Sequence, residues 1–312
     1  MENGLVSVII SAYNHENYIK ETIESVINQT YKKIELLVVD DGSTDQTWQK
    51  LLELRSKCES RFLRVVLERH TNVGICQTLN KLIRLARGEY CYFLDSDDVS
   101  KKNAIEKEVM HFIENEECVL AVGCNEIINS KSEKVGWDEK RNCVSLERAK
   151  YATFDSFLEY KSNVNFSSDE FGSYRTLVLG NYIPNGFLVK TEKLLSIGDF
   201  SDEAPLEDWY LMLQLSKLGK FGYIPDVLHA YRWHETNTIK NTFKMESHAY
   251  KTWLFEKKLV HQSEDANLIK IFNRRSLFRK EKVNIFGKVI VYKEVLPTKL
   301  KIILEINRSN NN

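Results

Sequence analysis

The segment from Gly88 to Val99, GEYCYFLDSDDV, constrains this chain more than any other. Tyr90 to Leu94 is a short aromatic and aliphatic run that reads as a buried strand. Asp95-Ser96-Asp97-Asp98 follows at once, with three carboxylates in four residues. Burying such a cluster is expensive, because like charges repel and desolvation adds to the cost. It belongs at the mouth of a sheet, where open α/β folds keep their ligand sites. Hard oxygen ligands at Asp95 and Asp97 suit Mg2+ or Mn2+ shared with a diphosphate. The competing reading is a solvated acidic turn.

What precedes this segment supports a sheet. Leu5 to Ala12 is a nearly continuous apolar run, as expected of a strand buried on both faces. Glu16 to Gln29 has helical spacing, and Ile34 to Val39 is a second buried strand. It ends in Asp40-Asp41-Gly42-Ser43-Thr44-Asp45, with Ser43 or Thr44 as the expected cap of a helix from Gln46 to Lys57. Leu63 to Leu67, a helix from Ile75 to Ala86, the Tyr90 strand and a helix from Lys102 to Glu114 continue the alternation. This is a βαβ series, an α/β fold with a mostly parallel sheet flanked by helices.

The rhythm then changes. Val119 to Ile128 reads as a strand, and residues 129–175 are polar, with one helix expected near 145–160. Tyr182 to Val189 reads as a strand around a Pro-Asn-Gly bend. Helices are expected over 191–196 and 207–218, and two short strands over 222–224 and 227–232.

Composition bounds the function. The 312 residues allow one large domain plus an extension, and a formal net charge of zero argues against a nucleic-acid partner. Six cysteines without a CxxC pair read as reduced thiols. The N-terminus lacks a basic leader, and no apolar run reaches the length of a membrane span, so a cytoplasmic location is expected. The charge is unevenly spread. Residues 240–312 carry 16 Lys and Arg against 7 Asp and Glu, with Trp253, Phe255, Phe272, Phe278, Phe286 and Tyr292 among them. Arg274-Arg275 and Arg279-Lys280 flank Phe278. This basic, largely helical extension could dock peripherally on an anionic surface at the inner face of the cytoplasmic membrane, or could simply pack on the preceding domain.

Two acidic loops, after strands two and four, face one edge of the sheet. That arrangement suits a nucleotide plus its metal. The first turn, SAYNHENY, lacks the G-x-G-x-x-G of a dinucleotide site. The motifs VSVIISAYN, ELLVVDDGSTD, NVG, GEYCYFLDSDD and EDW, in that order over about Val6 to Trp233, resemble family 2 glycosyltransferases, inverting nucleotide-sugar enzymes with the glycosyltransferase A-type fold.

The resemblance implies roles. Ser11 and Tyr13 match positions that pack the nucleoside, and Asp41 matches the carboxylate that reads the pyrimidine N–H. Asn72 lines the base pocket or is simply a turn residue. Asp97 is the direct metal ligand, with Asp95 on the ribose or a metal-bound water. Asp98 is either part of this set or a helix N-cap. Asp208 of Glu207-Asp208-Trp209 matches the catalytic base, with Glu207 supporting it or touching the acceptor; the other reading is a carboxylate pair at a helix N-terminus. Asn185, in Asn181 to Gly186, falls where the acceptor floor is built. Processive members carry Q-x-x-R-W; here His229 replaces the Gln before Arg232-Trp233, which implies addition of one sugar. Arg232 is a candidate for the diphosphate and His234 for the metal, though a histidine after a strand is often structural.

The expected chain is therefore a catalytic domain over 1–239, with a nucleotide-sugar half at 1–127 and an acceptor half at 128–239, followed by the extension. The expected function is metal-dependent transfer from a nucleotide-sugar donor, a UDP-sugar, to a saccharide or lipid-linked saccharide acceptor in O-antigen, capsule or lipopolysaccharide assembly. The rivals are a sugar-1-phosphate nucleotidyltransferase, which would want a Gly-rich basic loop after strand one, and a non-catalytic nucleotide-sugar or membrane-binding protein.

Overall fold

The computed structural model describes residues 1–275, 279–285 and 288–295. The chain opens with β1 (Glu2–Ala12), α1 (Ile19–Ile27), β2 (Ile34–Asp40), α2 (Thr47–Arg61), β3 (Arg64–Arg69), α3 (Ile75–Leu85) and β4 (Gly88–Phe93). The short β5 (Val99–Ser100) and α4 (Ala104–Glu114) lead into β6 (Cys118–Asn129). A hairpin of β7 (Lys134–Trp137) and β8 (Cys143–Val144) follows, then α5 (Phe154–Ser162) and α6 (Tyr174–Leu177). β9 (Phe187–Lys190), α7 (Thr191–Ser196), α8 (Glu207–Leu215) and β10 (Lys220–Trp233) complete the sheet. Next come α9 (Thr242–Gln262), α10 (Ala266–Arg275) and an antiparallel ribbon of β11 (Arg279–Ile285) and β12 (Lys288–Val295).

The main sheet runs in the order β3-β2-β1-β4-β9-β6-β10-β5. β3, β2, β1 and β4 are parallel. β9 runs antiparallel to both β4 and β6, and β10 is parallel to β6. Of these eight strands, all but β9 and β5 therefore end at one edge, and β9 begins there. The chain winds outward from β1 through β2 to β3 and then crosses back to β4. That reversal puts the switch point, where α/β sheets bind ligands, between β1 and β4.

Two apolar layers hold the sheet. Val6, Val8 and Ile10 alternate onto the face covered by α1, α2 and α4 through Ile19, Ile23, Leu51 and Ile105. Ile9, Leu37 and Val39 face Leu79 and Leu82 of α3 and the second half of the chain. Each such side chain contributes about 1.5–3 kcal/mol on burial. One polar seam crosses the core: Glu35, fully buried, accepts from Ser7 Oγ at 2.6 Å and pairs with Arg64 at 2.6 Å.

The βαβ series matches the expected order, and several local expectations change. α2 is not capped by Ser43 or Thr44. Asp45 Oδ1 accepts from the Thr47 N–H at 2.9 Å, while Ser43 Oγ accepts from the Asn14 N–H at 2.9 Å. The expected helix over 145–160 is one 3-10 turn at Leu146–Arg148 and then α5, started by the Thr153/Ser156 capping box. Residues 182–186 are not strand, because Pro184 has no N–H and Gly186 adopts φ +68°. A Cβ on Gly186 would lie 2.2 Å from His229 Cδ2. The two strands expected over 222–232 are one, with register shifts between Ile224 and Val227 around Pro225.

The described part of the extension is helical to Arg275 and then forms the ribbon. Trp253 and Phe272 are buried and stacked at 5.6 Å, and Phe255 meets Tyr210 at 5.8 Å, so these aromatics face the body. Phe278, Phe286 and residues 296–312 lie outside the described residues. None of the six cysteines is paired. Among the described residues, no helix is long and apolar enough to cross a membrane.

Candidate functional site

The parallel strands deliver their C-terminal loops to one edge, and the loops bind one another. At the end of β2, Asp40 Oδ1 accepts from the Ser43 N–H at 2.8 Å and so shapes its own turn. Asp41 Oδ1 accepts from the Val73 N–H at 2.8 Å and Oδ2 from the Gly74 N–H at 3.0 Å. His70 Nε2 lies 3.1 Å from Asp41 Oδ1. Gly42, at φ +74°, lets the Asn72 backbone approach; a Cβ there would lie 2.5 Å from Asn72 N. A cleft opens between Gly42–Asp45 and Arg69–Asn72. Ser11, near the end of β1, stands opposite Val39 of β2, and Tyr13, just past β1, is 46% exposed.

A second cleft, lined by His15, Tyr18, Asp45, His234 and Thr236, leads toward the β4 loop. Asp95, Asp97 and Asp98 each present an oxygen within 4.8 Å of the others. Asp97 and Asp98 are buried, while Asp95 opens to solvent. His234 Nε2 lies 2.9 Å from Asp97 Oδ2 and His15 Nε2 lies 3.8 Å from it. His15 Nδ1 is 2.7 Å from Ser96 Oγ.

Asn185 reaches this loop because β9 starts at the edge where β4 ends. Its Nδ2 donates to Asp95 Oδ2 at 2.6 Å and to Asp98 Oδ2 at 3.2 Å. Asp98 is not a helix cap. α4 starts at Ala104, and Asp98 Oδ1 instead accepts from the Arg232 N–H at 2.8 Å.

Arg232 is fully buried, and its guanidinium is committed to the protein. Nε donates to the Asp97 carbonyl at 2.6 Å, and the two terminal nitrogens donate to Ser132 Oγ at 2.8 Å and Glu21 Oε2 at 2.6 Å. This corrects the diphosphate role: the side chain is buried and each of its three nitrogens already donates within the protein, so Arg232 braces the acidic loop from behind.

Glu207 and Asp208 open α8, where the helix dipole favours carboxylates. Asp208 Oδ1 accepts from the Trp209 N–H at 2.7 Å and Oδ2 from Asn181 Nδ2 at 3.0 Å. The α8 start thus faces the acidic loop from the opposite half of the chain.

The electrostatics bind these carboxylates into one group. Asp95 is pushed up to about 7, first by the protein mass around it and then by the negative charges of Asp97 and Asp208. Its tip is open to solvent, so the like-charge repulsion is the firmer of the two causes. Burial and its acidic neighbours hold Asp98 well above the carboxylate range. Burial works to raise Asp97 too, yet the His234 hydrogen bond and the His15 and His234 imidazoles carry it below the usual value. Glu207 is pushed up to about 8 by burial and by Asp208, and Asp208 itself is raised by its surroundings. Carboxylates held this close call for a cation, and the two donor sets that share Asp97, Asp95-Asp97-Asp98 and His15-Asp97-His234, fit a hard divalent ion such as Mn2+ or Mg2+.

The structure brings Asp95, Asp97, Asn185 and His234 together, with Glu207 and Asp208 in electrostatic reach. Asp41 and Asn72 meet at the Gly42 turn, at a separate end of the edge, while Ser11 and Tyr13 stand at the end of β1. Four contributors escape a motif reading. His15 follows β1 directly and is legible only as a residue at that edge. Asn181 lies inside the expected acceptor segment without a role. Glu21, which pairs with Arg232, and Lys161, whose ammonium feels the Asp208 charge, give no sequence signal.

Comparisons with known proteins bear on the family and the fold. The family model described as Glycosyl transferase family 2 matches residues 7–182. An uncharacterized glycosyltransferase of Haemophilus influenzae is 31% identical over 246 residues, covering 77% of this chain and 70% of that protein. The Escherichia coli UDP-Glc:alpha-D-GlcNAc-diphosphoundecaprenol beta-1,3-glucosyltransferase WfaP is 38% identical over 112 residues, only 36% of this chain and 42% of WfaP. Among solved structures, S. aureus TarS 1-349 in complex with UDP-GlcNAc superposes with a TM-score of 0.60 at 20% identity, over 87% of this chain and 71% of that one. The mannosyltransferase PcManGT from Pyrobaculum calidifontis, in complex with GDP-Man and Mn2+, gives 0.52 at 17% identity, over 72% of this chain and 56% of that one. At these identities the structures speak for the fold, which is the glycosyltransferase A-type fold. A match over more than half its residues, joined to this sheet edge, makes the chain a member of glycosyl transferase family 2.

Proposed function

We propose that this glycosyltransferase is an inverting, divalent-cation-dependent enzyme that moves one sugar from a nucleotide-diphosphate donor, a UDP-sugar, to a saccharide or lipid-linked saccharide acceptor. The observation that carries the reading is that one short segment holds both carboxylates, Asn181 bonded to Asp208 and Asn185 to Asp95, with the charge of Asp208 felt at Asp95. Surface-polysaccharide assembly, as in O-antigen, capsule or lipopolysaccharide, is the setting that WfaP and the putative teichuronic acid glycosyltransferase TuaG of Bacillus subtilis suggest.

Asp208 is the base. An acceptor hydroxyl has a pKa far above 7 and must lose its proton as it attacks the anomeric carbon. Asn181 and the Trp209 N–H fix the carboxylate for that transfer. Attack opposite the leaving diphosphate inverts the centre. Glu207 supports Asp208 or touches the acceptor, and Asn185 orients Asp95. Asp95, Asp97 and His234 hold the cation, which when bound neutralises charge on the diphosphate.

Ser11, Tyr13 and Asn72 pack the nucleoside beside the Gly42–Asp45 loop. Asp41 already accepts two backbone N–H groups, but each carboxylate oxygen has a second lone pair, so it can still take a pyrimidine N–H. The absence of a Gly-rich loop after β1 disfavours a nucleotidyltransferase, and the intact carboxylates disfavour a non-catalytic protein.

The finer reading of location is a cytoplasmic enzyme held peripherally at an anionic membrane through residues 240–312. The net positive charge of that segment supports it, and it fails if truncation at Arg275 leaves fractionation with membranes unchanged.

The decisive experiment measures UDP release from a panel of UDP-sugars with and without Mn2+ or Mg2+. Metal-dependent release from one donor, abolished by Asp208→Asn with UDP binding retained, is the expected result. No release together with no UDP binding in calorimetry overturns the proposal.

A further inference from the structure

The carboxylates are only half of the charge at this edge of the sheet. Arg141, at the tip of the β7–β8 hairpin, places its guanidinium 5.2 Å from the Trp233 ring centroid and 5.5 Å from that of Phe157. Lys240, just before α9, places its ammonium 4.5 Å from the same Trp233 ring. Two cations thus share one indole, and neither forms an ion pair among the described residues. Nearby Lys150, by contrast, pairs with Glu139 at 2.9 Å.

Their placement is built. Arg141 sits at φ +63°, and the Asp138 carboxylate shapes its turn by accepting the N–H groups of Lys140 and Asn142 at 2.8 and 2.9 Å. Trp233 lies between Arg232 and His234, the two residues that bind Asp97. Lys161, at the end of α5, feels both Arg141 and Asp208 and has no ion pair of its own among the described residues. Asp208, the carboxylate whose charge Lys161 feels, already accepts from Asn181 Nδ2 and the Trp209 N–H. Gathering cations without a counter-charge is unfavourable unless an anion enters. A guanidinium stacked on an aromatic face keeps its donors free to fork onto oxyanions.

We infer that Arg141 and Lys240, gathered on the Trp233 ring where β10 ends at the site edge, form a receptor for a phosphoryl oxyanion. The inference rests on the transferase reading and deepens it. Two sources carry that chemistry: the diphosphate of the donor, or a phosphate borne by the acceptor beside its attacking hydroxyl.

The test uses the full chain, the double variant Arg141→Gln/Lys240→Gln and the charge-conserving pair Arg141→Lys/Lys240→Arg. Calorimetry in Mg2+ compares UDP with uridine, and phenyl phosphate is then titrated into UDP-saturated protein. If the donor is the source, the advantage of UDP over uridine falls roughly tenfold or more in the double variant and persists in the charge-conserving pair. If the acceptor is the source, UDP binding holds while phenyl phosphate binding drops by a similar factor. Either result supports the receptor. If both affinities stay within about twofold of the parent, or the parent takes up no phenyl phosphate and the UDP advantage is unchanged, the receptor is overturned. A parent that binds no UDP would refute the transferase reading, and the phenyl phosphate arm would still report on the receptor.

Discussion

Thr252 Oγ1, on α9, accepts the backbone N–H of Leu206 at 3.0 Å, one residue before the helix that opens with Glu207 and Asp208. One turn along α9, the buried Glu256 accepts from Tyr174 Oη and from Gln214 Nε2, each at 2.7 Å, and pairs with Lys217 at 2.8 Å. α9 therefore clamps both ends of α8. We propose that the catalytic unit extends through α9, past a boundary drawn at residue 239. Truncation after Ile239 should leave protein that aggregates or lacks a cooperative melt, and a truncated chain that melts cooperatively would restore the earlier boundary. Thr252→Val should fold with a loss of about 1 kcal/mol in urea titration and lower kcat more than it raises KM.

Glu207 and Asp208 should separate by pH. Burial and Asp208 push Glu207 up to about 8, so Glu207 carries its proton at neutral pH. Glu207→Gln should therefore keep kcat within about threefold near pH 6.5, while Asp208→Asn loses roughly 100- to 10,000-fold. A carboxyl raised on folding contributes stability below its unfolded value, near 4.5, and loses it as pH rises through about 8. The melting temperature of Glu207→Gln should thus exceed that of the parent at pH 9. Equal pH profiles for the two proteins would remove this assignment.

The imidazoles should differ in weight. His234 lies 2.9 Å from Asp97 Oδ2, whereas His15 lies 3.8 Å away and is held by Ser96. Mn2+ titration in the presence of UDP should show His234→Ala weakening the metal roughly 10- to 100-fold and His15→Ala less. Equal effects would place the ion between the two rings.

Arg232 should behave as a structural residue. Arg232→Met removes the brace on the Asp97 carbonyl, Ser132 and Glu21, and should lower stability by about 3 kcal/mol in urea unfolding. A stable Arg232→Met that binds uridine normally but UDP poorly would restore the diphosphate role.

Much of this edge was legible because strand-terminal carboxylates advertise themselves. Asp41, Asp95 and Asp97 follow apolar runs whose burial fixes direction and edge, and Asp208 opens a helix after a proline. What stayed hidden depends on the path of β9 and β10. No periodicity announces that β9 runs against its neighbours and so carries Asn185 onto Asp95. The burial of Arg232 under Glu21, from α1, joins residues far apart in sequence. His15 has no spacing partner in the sequence because its partners, Ser96 and Asp97, come from the loop after β4.

The position of β9 has a last consequence. It hydrogen-bonds to β4 on one side and to β6 on the other, so a strand from the second half is stitched into the middle of the sheet. The two halves cannot melt one after the other, and neither can be transplanted alone into a relative. Exchange of acceptor preference between such enzymes has to proceed by grafting loops onto an uncut sheet, and heating should show a single calorimetric transition for the entire sheet.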